Sequence, residues 1–134
     1  MKKNQNSYMK KTKYTFSLEQ LNKIGNNSED FTLQMLKQFM LSAIEISTNM
    51  LAAVKQNDWN MVKSAAHKGV PSYSVMDLKE LTDLLKAIET AAQTHKEAPF
   101  IRELVQIFNK KNQKVINEIN EYFKEFEEIK VTPA

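Results

Sequence analysis

Asp58-Trp59-Asn60-Met61-Val62-Lys63-Ser64-Ala65-Ala66-His67-Lys68-Gly69-Val70-Pro71-Ser72-Tyr73-Ser74-Val75-Met76 is the stretch whose reading decides the fold. Asp58 is a good N-cap, and Val62, Ala65, Ala66, Gly69, Tyr73 and Met76 keep spacings of three and four, the period of one helix face. Against a single helix stand Gly69, which costs a helix interior about 1 kcal/mol, and Pro71, which costs about 3. Val70, preceding proline, is biased toward extended backbone. If the helix stops there, His67 lies in a last turn, where the dipole favours an imidazolium that cannot attack. The apolar spacing resumes at Tyr73 and Met76. That resumption favours one helix, bent but unbroken near Pro71.

The flanking segments have the same period. Ser17-Leu18-Glu19-Gln20 has the form of a capping box and opens a short helix with Leu18, Leu21 and Ile24, stopped by Gly25-Asn26-Asn27. Ser28 caps a helix of about 26 residues, whose apolar positions include Phe31, Met35, Leu36, Phe39, Ile44, Ile46, Met50, Leu51 and Val54. Asp77 and Glu80 form a further capping box before Leu78, Leu81, Leu85 and Ile88. Pro99 suits the first turn of a last helix of about 28 residues, running from Phe100 to Phe126 with one break in its pattern, Asn112. These stripes are expected to be core. The fold class expected is all-α: an antiparallel four-helix bundle with a short additional N-terminal helix. Residues 1–13 are expected to be a disordered, dispensable basic tail, 14–129 the bundle and 130–134 a C-terminal tail.

Composition narrows the chemistry. The 134 residues include two glycines and three prolines, too few for the turns of an all-β domain, and no cysteine. Two glycines build no phosphate loop, and no apolar run is long enough for a membrane helix. The net charge of +3 is misleading, because Lys2, Lys3, Lys10, Lys11 and Lys13 all precede the first acidic residue, Glu19. From residue 14 onward the balance is −2, which argues against a nucleic-acid surface on the folded body. Neither histidine is preceded at the third position by glutamate, as a bundle di-metal site would require: position 64 is Ser and position 92 is Ala.

That leaves the histidines themselves. His95 lies in the polar run from Gln93 to Ala98, where nothing positions it. His67 is turned off the apolar stripe of its helix and shares its outer face with Lys63, Ser64, Val70, Pro71 and Ser74. Its own helix carries no carboxylate, and its only charges are Lys63 and Lys68. An exposed imidazole among small side chains and positive charge suits the approach of a phosphoryl group.

At this point the chain resembles the histidine-containing phosphotransfer (HPt) domains of two-component phosphorelays, over roughly residues 16–126. The resemblance rests on Phe16-Ser17-Leu18-Glu19-Gln20-Leu21, on the turn Asn57-Asp58-Trp59, on Ala65-Ala66-His67-Lys68, and on Leu78, Leu81, Leu84, Leu85, Ile88 and Glu89. It implies that His67 is the phosphoacceptor, taking a phosphoryl group from a receiver-domain aspartate and passing it to another receiver. The chain departs from the family's His-x-Leu-Lys-Gly: Gly69 replaces the leucine, Val70 the lysine, and Pro71-Ser72 resembles a variant of the glycine position. Lys63 and Lys68 are candidate substitutes for the missing lysine, with Ser64, Val70 and Ser74 completing the expected supporting set.

The reading is thus a stoichiometric phosphohistidine carrier rather than a conventional enzyme, with no cofactor and no metal of its own. Its expected partner is the receiver domain of a response regulator or hybrid histidine kinase, with no nucleic acid and no membrane contact. A monomer in the cytoplasm is expected. The alternative is a degenerate HPt-like bundle that serves only protein–protein interaction. A nucleic-acid or membrane binder working through the lysine-rich tail ranks last.

Overall fold

The computed structural model describes residues 13–94 and 96–131. His95 and the tail residues 1–12 and 132–134 lie outside the described residues, and with them the expectations placed on them. Within the described residues there are five helices and no strand: α1 Glu19–Ile24, α2 Glu29–Lys55, α3 Trp59–Val75, α4 Lys79–Gln93 and α5 Ala98–Val131. The last runs 34 residues, longer than its apolar pattern suggests. Helices α2 to α5 form an antiparallel four-helix bundle in which α2 packs on α3, α3 on α4, α4 on α5 and α5 back on α2.

Local chemistry sets most of the helix ends. The Ser28 hydroxyl accepts from the Phe31 amide at 3.3 Å, and the Asp58 carboxylate from Met61 at 3.1 Å. The turns place Asn26, Asn27, Asn57 and Asp77 in the left-handed region, so asparagine and aspartate do what the chain's few glycines do not. Two expected capping boxes are not used. Asp77 takes a φ of 57° ahead of α4, and its carboxylate accepts from Gln20 Nε2 at 2.6 Å. That glutamine also reaches the Ser74 carbonyl at 3.4 Å, so it ties α1 to the end of α3 rather than closing a box with Ser17.

The decisive stretch is one helix. α3 continues through Pro71, and its buried face is Val62, Ala65, Ala66, Gly69 and Tyr73. Packing outweighs the local objections. Tyr73 and Met76 are fully buried, which stabilises by roughly 2 kcal/mol each and offsets the combined cost of about 4 kcal/mol for Gly69 and Pro71. Gly69 sits where α3 is squeezed between its neighbours: a Cβ there would lie 3.0 Å from both Ile46 Cδ1 and Leu85 Cδ1.

Asn112, the break in the α5 pattern, is fully buried and satisfied. It accepts from the Tyr73 hydroxyl at 2.7 Å and donates to the Ala43 carbonyl at 3.1 Å, joining α5 to α3 and α2. The apolar stripes, by contrast, are wider than the core. Ile24, Met35, Ile44, Leu51 and Phe100, all counted as core by spacing, are exposed. The bundle already fills the arc of α2 with Leu36, Phe39, Ala43, Ile46 and Met50, so further apolar positions on that helix face outward.

Candidate functional site

His67 stands midway along α3, on its outer side, with its side chain 74% exposed. Because α3 does not stop at Gly69, the ring lies two turns from the helix end, away from the carbonyl terminus that would favour its charged form. Pro71 brings no amide, so the His67 carbonyl lacks the usual backbone donor four residues on.

The residues of the expected supporting set surround this ring by register. Lys63 and Ser64 come one turn before it, Val70 one turn after and Ser74 two turns after. Lys63 and Val70 are half-buried, and Val70 packs against the core. Ser64, Lys68 and Ser74 are exposed. Lys68 stands about 100° round the helix from His67, so it shares the neighbourhood but not the face.

The side chain that does meet the ring came from another helix. His67 Nδ1 is 2.9 Å from Oε2 of Glu89 on α4, whose carboxylate is 25% exposed. No carboxylate lies on the histidine's own helix face, and sequence spacing on α3 could not reveal this one. The available signal was the position of Glu89 one residue after buried Ile88, where it is carried at the edge of the α3–α4 contact. A carboxylate only accepts, so this contact places the imidazole proton on Nδ1. In the neutral ring Nε2 then carries the lone pair.

An apolar cleft of about 420 Å³ lies between α1, α2 and α3. Its walls include Leu21 and Ile24 of α1, Phe31 and Met35 of α2, and Pro71 and Val75 of α3, and no charged side chain lines it. Pro71, one helical turn from His67, is among its lining residues, while His67 itself is not. Ile24 is 63% exposed at its rim.

No family model matches the chain. No curated protein matches it. Among solved structures, the HPT domain from the Hpt sensor hybrid histidine kinase from Shewanella superposes with a TM-score of 0.71, covering 83% of this chain and 95% of that chain at 19% identity. The chain has an HPt-like fold. Among the described residues no helix is long and apolar enough to cross a membrane.

Proposed function

We propose that this chain is a phosphorelay intermediate carrying a phosphoryl group on His67. The observation that carries the reading is the pairing of His67 Nδ1 with Glu89, which leaves Nε2 free and exposed on a helix face. In the forward step Nε2 attacks the phosphorus of a receiver's aspartyl phosphate. The Nε2–P bond forms, the P–O bond breaks and the aspartate leaves as a carboxylate. The proton stays on Nδ1, and Glu89 offsets the positive charge that develops on the ring. The reverse sequence passes the group to a second receiver. The metal that offsets phosphoryl charge in such transfers belongs to the receiver.

Lys63 is the better placed of the two candidate lysines, one turn from His67 on the same face, and Lys68 contributes from the flank. Ser64 and Ser74 leave room for the phosphoryl group, and Val70 takes no charge to it. The uncharged cleft at Pro71 suits an apolar surface of the receiver, which would seat the aspartate over Nε2 without a competing charge. Cytoplasmic placement follows from this role.

Incubation with phosphorylated receivers, followed by detection of acid-labile phosphate, tests the proposal. Wild type should label and His67→Gln should not, while its melting temperature stays close to wild type because an exposed side chain has been changed. Absence of label from every active receiver would move the chain to the alternative, an interaction module without phosphotransfer.

A further inference from the structure

The contact between His67 and Glu89 joins two helices, so it depends on how near α3 and α4 lie. These two make the most extensive helix contact in the bundle. The inward side of α3 is small at its middle: Ala65, Ala66 and Gly69 are buried there, between Val62 and Tyr73. From α4, Leu85 and Ile88 are fully buried, and Glu89 follows at the edge of the contact with its side chain 25% exposed.

Gly69 is a poor choice for its place on local grounds. Glycine weakens a helix interior relative to alanine. No glycine among the described residues has a positive φ, so the backbone at 69 does not call for one. What remains is the missing side chain. A Cβ at Gly69 would stand 3.0 Å from Cδ1 of Ile46 on α2 and 3.0 Å from Cδ1 of Leu85 on α4. Non-bonded carbons settle at roughly 3.5–4.0 Å. Both neighbours are buried, so neither can swing out to solvent.

The same neighbour leads to the histidine. Leu85 and Glu89 are four apart, on successive turns of one face of α4. α3 and α4 are antiparallel, so the step from Leu85 on to Glu89 runs alongside the step from Gly69 back to His67. The spacing that Gly69 allows against Leu85 is therefore carried one turn along, to the 2.9 Å contact between His67 Nδ1 and Glu89 Oε2.

We infer that Gly69 is a positioning residue for His67. Having no side chain, it lets Leu85 seat against α3, and this brings the Glu89 carboxylate within hydrogen-bond reach of Nδ1. The neutral ring is thereby held with its proton on Nδ1 and its lone pair on Nε2. An imidazole with no acceptor at Nδ1 favours the proton on Nε2, and that tautomer has no lone pair there for attack on phosphorus. Glycine at 69, where the HPt pattern has leucine, thus acts on the ring through α4. Its effect on phosphotransfer rests on the phosphorelay reading; its effect on the tautomer does not.

The test reads both in the full chain. Nitrogen-15 shifts of the His67 ring, assigned by their loss in His67→Gln, report the tautomer at about pH 8.5, where an imidazole is neutral. Wild type should be mainly the Nδ1–H form and Gly69→Val mainly the Nε2–H form. Gly69→Val with Leu85→Ala moves side-chain volume from α4 to α3 and should restore the wild-type tautomer. In single-turnover transfer from a phosphorylated receiver, Gly69→Val should slow the wild type about tenfold, and Glu89→Ala by less than about twofold further, because the group it positions is already gone. Gly69→Ala adds one methyl and should show the same pattern at about twofold; it decides the matter if the valine variant does not fold. A wild-type tautomer in the folded variant would overturn the inference, as would an equal loss of rate with and without Glu89. No transfer to wild type from any active receiver, with the tautomers as expected, would count against the phosphorelay reading and leave the positioning role in place.

Discussion

α1 separates two clefts of different character. On one side is the uncharged cleft at Pro71, walled by residues of three helices. On the other is an aromatic cavity under a strap formed by residues 13–17, with Lys13 and Glu125 among its lining residues. The first is built from apolar positions where α1 meets α2 and α3, some buried, such as Leu21 and Phe39, and others exposed, such as Ile24 and Met35. The second is held by polar contacts between segments a hundred residues apart in sequence. The difference teaches that one short helix can wall two surfaces, one uncharged and shared with α2 and α3, the other tied to α5 by polar contacts.

Six substitutions at five positions sharpen or break this contrast. Phe16→Ala should have the largest effect, because it empties a buried position under the strap. A loss of about 3 kcal/mol is expected, or roughly 10 °C in melting temperature. A loss below about 1 kcal/mol would show that the strap contributes little to the fold. Glu89→Ala should leave stability nearly unchanged and slow phosphotransfer by about tenfold, from loss of a charge-assisted hydrogen bond at an exposed ring. Glu89→Gln should lose less, since an amide oxygen can still accept from Nδ1. Equal rates for wild type and Glu89→Ala in single-turnover assays would remove Glu89 from the mechanism.

Ile24→Asp puts a charge at the rim of the uncharged cleft. Its exposure keeps the stability change within about 0.5 kcal/mol, whereas transfer from a receiver should fall by severalfold to about tenfold. Unaltered receiver affinity would mean that partners dock elsewhere. The smallest effects belong to Lys63→Ala and Lys68→Ala. Each should slow transfer by less than about tenfold, because an exposed charge contributes about 1 kcal/mol or less. Lys63 should show the larger loss. If neither substitution changes the rate, the two lysines do not replace the one that the HPt pattern places at Val70.

Much of this was legible in the residues. Periodicity marked the helices, and Ser28 and Asp58 capped the two that their positions suggested. The continuity of α3 was readable from Tyr73 and Met76 despite the local preference of Gly69-Val70-Pro71. Other signals were ambiguous because one side chain can satisfy several local motifs. Asp77 reads as a helix cap, yet it occupies a left-handed turn and receives Gln20 from another helix. Spacing also overcounts the core: Ile44 and Leu51 fit the period of α2 but lie outside the arc its neighbours cover.

What the sequence by itself determined is an all-helical chain with an outward-facing histidine at a fixed place on its third helix. These follow from hydrogen bonding and apolar spacing within single segments, which are local in the chain. Only the tertiary structure decided what faces that histidine, why Gly69 stands where a larger side chain would collide with Ile46 and Leu85, and how Asn112 is satisfied in the core. Each depends on the rotation and register of one helix against another. Those are set by the packing of all the side chains together, and no single segment carries them.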